Sequence, residues 1–249
     1  MLFRSDCGNG ALNPIADLPH CGAVVSRTEP ERAGRLLARI AAAMDERQRI
    51  LSAGGFADIT EQRAHGDRPL PHLVLLLDRW EGFATTIGEI DTVFDGVTRI
   101  LREGASLGVH AVITGDRTLA SNSRVSTMTE NKLALRLADR SDYTMVGLSP
   151  RAIPERIPAG RGFTPNGEEV QIMLLSADDS GPAQAAALRE LAHGLASAPE
   201  GRRPFRVDVL PARATLELAL SLPPHDEAGP RVVLGVGGDD LRKIGRAHV

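Results

Sequence analysis

The sequence is poor in the residues that announce most binding chemistries. It has two cysteines, Cys7 and Cys21, too few and too loosely spaced for a disulfide framework or a zinc site, so both are expected as free thiols in a reducing compartment. Aromatic residues make up 3% of the chain, which argues against a stacking platform for single-stranded nucleic acid. A formal net charge of −3 gives no overall field to draw the chain onto DNA or an anionic membrane. The longest aliphatic run is Leu73–Leu77, far short of the roughly 20 residues that span a bilayer. Met1 leads directly into LFRSDCGNG with no signal peptide, so any membrane attachment is expected outside these residues. The seven histidines show no H-x-x-x-H or Cys/His spacing, and there is no G-x-S-x-G elbow. GVGGDD, near the end, lacks the strand–turn–helix context of a dinucleotide site. A phosphate-cradling G-x-x-x-x-G-K-[ST] run is missing too.

What is present is an ordinary globular composition, 42% hydrophobic and 24% charged over 249 residues, long enough for one core and part of a second. Leu2–Asp6 and Ala23–Val25 read as short strands, separated by a Gly/Asn/Pro-rich loop. The clearest helix follows. Thr28 is its expected N-cap, Pro30 lies in its first turn, and Gly54 and Gly55 close it. Leu36, Leu37, Ile40, Met44, Ile50 and Leu51 form its apolar stripe near a period of 3.6, with the arginines mostly off it. Leu73–Leu77 is an unbroken apolar run, as expected of a central strand covered on both faces.

The three- and four-residue spacing of Ile90, Val93, Phe94, Val97, Ile100 and Leu101 predicts a helix over 87–104, followed by a buried strand in GVHAVITGD. SRVSTMTENK has helical character, LALRLAD (Leu133–Asp139) alternates like a strand, and DYTMVGL reads as a short helix. A hairpin turn is expected at Asn166–Gly167, a tight turn at Gly160–Gly162, a strand running into IMLL, and a helix over Pro182–Ala198. Strands separated by helical segments predict an α/β fold with a mainly parallel sheet.

The expected organisation is a main unit over 1–180, a helix and connector over 181–230, and over 231–243 a strand that opens something new. Ile244–Val249 reads IGRAHV, which a widely used sequencing-adapter sequence can encode. This tail, with His248, is therefore expected to have no fold and no function.

Several pieces, taken in order, resemble one family: FRSDCGNGAL, LPHCGAVVSRTEPERAGRLLARI, MDERQRIL, PHLVLLLDRWEGF, ILREGASLGVHAVITGDR, NKLALRLADRSDY and IPAGRGF. Together they resemble the FtsK/SpoIIIE-type ATPases, and in particular the tandem ATPase modules of the type VII secretion motor, EccC/EssC. The resemblance covers about Leu2–Leu175, and RVVLGVGGDDL resembles the lead-in to a following module. It implies a P-loop NTPase (RecA-like) fold, a mainly parallel sheet flanked by helices. Its phosphate cradle would precede Leu2, so the fold would be truncated at its N-terminal side.

The resemblance also implies roles. Asp78, ending the apolar strand, would be the Walker B carboxylate that orients magnesium through water, the alternative being a loop-closing or helix-capping aspartate. Arg79 stands where active members carry the catalytic glutamate, and a guanidinium accepts no proton. Glu81, two residues on, is a weaker substitute. Thr114 and Asp116, in ITGDR, would lie near the γ-phosphate as sensors or would simply form a strand-end turn. Arg35, and less well Arg47, would match an arginine reaching a neighbouring subunit's nucleotide, the alternative being a solvated basic helix face. Asp6, Gly8 and Gly10, after the first strand, would form a turn, the alternative being glycines that let the backbone approach another loop closely.

By this resemblance the chain would be a nucleotide-binding, hydrolysis-deficient module using ATP and Mg2+ once a cradle is supplied. Its partners would be other modules of the same chain, neighbouring subunits of a hexameric ring and small secreted helical proteins, at the cytoplasmic face of a bacterial membrane. Two alternatives stay open: a DNA translocase motor of the same superfamily, and a structural or peptide-docking module without nucleotide.

Overall fold

The computed structural model describes residues 2–6, 13–86, 91–196, 204–224, 232–238 and 241–246. Cys7, Gly8, Gly10, Ile90 and His248 fall outside these. Four parallel strands make the main sheet: β1 (Leu2–Asp6), β2 (Cys21–Ser26), β3 (Leu73–Asp78) and β4 (Val109–Ile113), in the order β2-β1-β3-β4. Asp6 stands opposite Ser26 on one side and Asp78 on the other, and Leu77 stands opposite Ile113. The C-terminal ends of all four strands therefore meet at one edge.

The long helix α1 (Pro30–Gly54) forms for the reasons its sequence suggests. Leu36, Leu37, Ile40, Met44 and Leu51 are buried, each contributing roughly 1.5–3 kcal/mol, and Gly55 closes the helix in a left-handed conformation with its N–H on Leu51 and Ser52 carbonyls. Its start differs from the expectation. Glu29 is the capping residue, but its carboxylate turns back to accept from the Ser26 N–H, while Thr28 shares a hydroxyl contact with Ser26. Ile50 is only half-buried, and Arg47, expected off the stripe, is 5% exposed within it. Its guanidinium donates to the carbonyls of Leu107, Gly108 and Pro71. Polar demand from those carbonyls, rather than apolar periodicity, selects this inward-facing position.

Helix α2 (Ile59–His65) is capped by Asp58, which accepts from the N–H groups of Thr60 and Glu61. Helices α3 (Trp80–Thr86) and α4 (Asp91–Glu103) follow and flank β3 in sequence. Side chains from α1, α3 and α4 join Phe3, Val25, Leu73, Leu75, Leu77 and Val109 in one core cluster. The run in β3 alternates rather than being covered equally on both faces. Leu73, Leu75 and Leu77 are buried while Val74 and Leu76 are half-buried, and across the ladder Val112 of β4 is 53% exposed.

Beyond β4 the structure corrects several expectations. SRVSTMTENK contains only one short helix, α6 (Ser123–Ser126), just after α5 (Arg117–Ser121). LALRLAD is not a strand, because Ala134 alone forms a bridge, to Phe163. The Tyr143 hydroxyl takes the place of a ladder partner, accepting from the Leu137 N–H and donating to the Leu135 carbonyl. DYTMVGL lies in a 3-10 helix, Arg140–Val146, and Tyr143, Leu148, Ile153, Ala134 and Phe163 form a second, smaller core. The hairpin of β5 (Arg161–Phe163) and β6 (Glu169–Gln171) turns at Gly167, whose φ of 82° suits a residue without Cβ. Strand β6 stops at Gln171, leaving Ile172–Leu175 exposed and outside any strand.

Helix α7 (Gly181–Ala196) is close to its expected range. The connector after it docks on the main unit. Phe205 stacks on Phe3 with ring centroids 4.2 Å apart and lies under Arg39, Val207 is fully buried, and the Arg32 Nε–H donates to the Val207 carbonyl at 2.8 Å. Gly22 makes room for it. A Cβ there would lie 2.3 Å from the Phe3 ring and 2.5 Å from the Phe205 carbonyl. Finally α8 (Leu216–Ser221) packs beside an antiparallel hairpin, β7 (Val232–Gly237) with β8 (Arg242–Arg246). Ile244–Arg246, expected to have no fold, are thus paired, Ile244 with Gly235 and Arg246 with Val232. Among the described residues no helix is long and apolar enough to cross a membrane.

Candidate functional site at the carboxyl ends of the strands

In an open parallel α/β sheet, ligands settle at the carboxyl ends of the strands. Here that edge brings together Asp78, which ends β3, and Thr114, the residue after β4. The Thr114 hydroxyl donates to Asp78 Oδ1 at 2.8 Å. It also accepts from the Arg79 N–H at 3.0 Å. The backbone completes the link: the Thr114 N–H donates to the Leu77 carbonyl and the Trp80 N–H to the Thr114 carbonyl. Two adjacent strand ends are thereby joined by four hydrogen bonds around one carboxylate. The sequence-expected pair Asp78 and Thr114 is brought together.

Arg79 has φ of +60°, a left-handed conformation that costs a non-glycine residue roughly 1–2 kcal/mol. The bend turns the chain from β3 into α3, and the Arg79 carbonyl accepts from the N–H groups of Gly82 and Phe83, opening that helix. Its side chain is exposed. Trp80, immediately after it, is 1% exposed and packs on Phe83 and Phe94, fixing the bend from the core side. Glu81 lies in the first turn of α3, with its Oε2 buried and without a hydrogen-bond partner among the described residues. Neither the strain at Arg79 nor the burial of Glu81 has a signal in the sequence.

Asp116 is exposed at the same edge, but its carboxylate is engaged. Oδ1 accepts from the Thr118 N–H at 2.8 Å and from the Thr118 hydroxyl at 2.7 Å, capping α5. These two bonds, led by the hydroxyl, hold its pKa below the usual aspartate value. Arg35 lies in the N-terminal half of α1, the helix that leaves the carboxyl end of β2, and pairs with Glu31 at 2.7 Å. Arg47 is removed from this edge, buried against the opposite end of β3 and β4 through Pro71 and Gly108. Asp6 stands in register with Asp78 on the neighbouring strand.

An exposed magnesium ion asks for hard oxygen donors and keeps several waters. Asp78 carboxylate and Thr114 hydroxyl are donors of that kind, so the residues present fit such an ion. Among the described residues no cluster of three or more His, Cys, Asp or Glu side chains could hold a metal on its own. An open cavity of about 580 Å³ lies elsewhere, between the C-terminal end of α1 and α2, lined by Ile50, Phe56, Gln62, His65 and Arg68 among others.

Comparison with known proteins agrees with this fold. The model of the FtsK/SpoIIIE family matches residues 1–156. The chain is 26% identical over 98% of its length to the ESX secretion system protein EccC of Thermomonospora curvata, covering 19% of that protein. It is 29% identical over 96% of its length to the ESX-1 secretion system protein EccCb1 of Mycolicibacterium smegmatis, covering 42% of it. It thus spans less than half the length of these relatives. Among solved structures, EssC (ATPases 2 and 3) of Geobacillus thermodenitrificans superposes with a TM-score of 0.79 at 17% identity, over 98% of this chain and 46% of that one. EccC (ATPases 2 and 3) of T. curvata, in complex with a signal sequence peptide, superposes with a TM-score of 0.71 at 23% identity, over 98% of this chain and 44% of that one. These likenesses establish a P-loop ATPase fold, and the match over residues 1–156 makes the chain a member of the FtsK/SpoIIIE family.

Proposed function

We propose that these residues form the metal-and-sensor side of a nucleotide site in a hydrolysis-deficient ATPase module of a type VII secretion motor. The observation that carries the reading is the Asp78–Thr114 hydrogen bond between adjacent strand ends, with Arg79 at the position of the base. Asp78 would hold Mg2+ through water, and the ion would neutralise phosphate charge. Thr114 orients the Asp78 carboxylate. Arg79 offers no proton acceptor, so an attacking water would be left without a base. The cradle for the phosphates must come from polypeptide outside these residues, because no P-loop motif lies within them.

In this reading the module works by binding and regulation beside other modules, in a membrane-anchored, hexameric motor at the cytoplasmic face. Arg35 is the residue proposed to reach a neighbouring subunit's nucleotide, with Glu31 as its partner in isolation. Asp116 contributes chiefly by fixing α5. The test is nucleotide binding by the complete module, expressed from the reading frame that spans both ends of these residues. Asp78→Asn should weaken Mg2+-dependent ATP binding about tenfold or more while leaving metal-free binding intact. Arg79→Glu should raise turnover above a near-zero background. A complete module that binds no nucleotide would overturn the reading.

A second reading, a peptide-docking module without nucleotide, is favoured by one observation. Ile172, Met173, Leu174 and Leu175 are 45%, 91%, 54% and 59% exposed, four consecutive aliphatic side chains with little cover. Unchanged melting of the complete module in MgATP, with stabilisation by an apolar helical peptide, would select it.

A further inference from the structure

The opposite end of the sheet carries a second constellation. His72 immediately precedes β3 and His110 is the second residue of β4. They are 38 positions apart in sequence, so no local spacing reveals them. In the fold His72 Nδ1 lies 3.0 Å from His110 Nε2, and both rings are exposed. We propose that this pair is a two-imidazole site for a divalent transition metal that favours cis, tetragonal coordination, Cu2+ or Ni2+, with water in the remaining positions.

The distance between the ring nitrogens is compatible with both binding one ion. With metal–nitrogen bonds of about 2.05 Å, nitrogens 3.0 Å apart subtend an angle of about 95° at the metal. That is the cis angle of square-planar or octahedral coordination. Nitrogen donors at a tetragonal angle suit Cu2+ and Ni2+, and Cu2+ heads the affinity order for such a site.

The pair is also held in place. Buried Arg47 donates to the carbonyl of Pro71, next to His72, and to those of Leu107 and Gly108, just before β4. The Leu73 N–H donates to the Gly108 carbonyl at 2.9 Å, joining the two backbones next to His72 and two residues before His110. Fixing the backbone on both sides pre-organises the ligands. Burial first, then the positive charges of His110, Arg63 and Arg47, lowers the His72 pKa from the ordinary imidazole value. The same positive charges weaken cation binding, so the expected affinity is that of an exchangeable site.

The test uses the untagged complete module, expressed from the reading frame that spans both ends of these residues, stripped with EDTA and titrated with Cu2+, Ni2+, Zn2+, Mg2+ and Ca2+ at pH 7.5. Calorimetry should show one Cu2+ per chain, bound more tightly than Ni2+ or Zn2+, with no response to Mg2+ or Ca2+. Binding should vanish in His72→Ala and in His110→Ala, each checked for fold by circular dichroism. The paramagnetic resonance spectrum of the Cu2+-loaded wild type should carry splitting from two nitrogen donors, a readout that needs no variant. Binding that survives either substitution, a spectrum without two nitrogens, or no binding at all would overturn the proposal and leave the pair as a hydrogen bond only.

Discussion

Replacing Arg47 with methionine tests whether the guanidinium, rather than the helix stripe, holds α1 to the amino ends of β3 and β4. Methionine keeps much of the unbranched stem and removes all the donors. Of the three carbonyls served, that of Gly108 retains the Leu73 N–H, whereas those of Leu107 and Pro71 are left without another described partner. Two orphaned acceptors at about 1–2 kcal/mol each give a loss of about 3 kcal/mol. At about 2–4 °C per kcal/mol for a chain of this size, the melting temperature should fall by about 6–12 °C. Arg47→Lys, with one compact ammonium for three divergent acceptors, should lose roughly half as much. Thermal and urea unfolding followed by circular dichroism would measure both. A methionine variant within about 0.5 kcal/mol of wild type would refute the reasoning, because buried carbonyls would then be relaxing to other donors at no cost.

Arg79→Gly relieves the left-handed backbone and should raise stability by about 1 kcal/mol, less what glycine loses in unfolded-chain entropy; a melting temperature that falls would show the conformation to be unstrained. Thr114→Val removes the hydroxyl that serves both Asp78 and the Arg79 N–H, and should cost about 1–2 kcal/mol in urea unfolding, while an unchanged midpoint would mean that the strand ends hold without it. Asp116→Ala removes the cap of α5 and should cost about 1 kcal/mol at pH 7. The pH dependence has a definite sign. The folded pKa of Asp116 is depressed, so its contribution is present above the unfolded value near 4 and lost as pH falls through the folded one. The difference between wild type and Asp116→Ala should therefore shrink below about pH 4, and a difference constant from pH 7 to pH 2 would contradict this.

The centre of the sheet was legible because β3 is an apolar run that announces both its length and Asp78 at its end. The two ends of α1 show where such reading stops. Gly55 closes the helix as its sequence suggests, but Thr28 lost the cap because Ser26 and Glu29 satisfy each other first. Alternation in LALRLAD mimicked a strand, since Leu133 and Leu135 carry the pattern but point outward, and one tyrosine hydroxyl supplies what a neighbouring strand would have given. In the candidate site, Asp78 and Thr114 could be named from motif position. The backbone strain at Arg79 could not, because arginine has no preference for positive φ. Arg47 was misjudged because the hydrophobic period treats every arginine as outward-facing, whereas a fork of donors can be drawn inward by carbonyls. The histidine pair is invisible to any local pattern, being made by strand pairing alone.

The docked connector changes where this polypeptide can be divided. The expected boundary at 180 follows the extent of the family resemblance, yet Phe205 and Val207 fill space against Phe3, Gly22 and α1. A protease nick between α7 and Pro204 would leave a plug held, among the described residues, by packing, by Arg39 over the Phe205 ring and by the hydrogen bond from Arg32, and a chain ended at 180 would present the face of Phe3 to water. A piece cut to keep this core covered should therefore extend through at least Val207, well past the edge of the family resemblance.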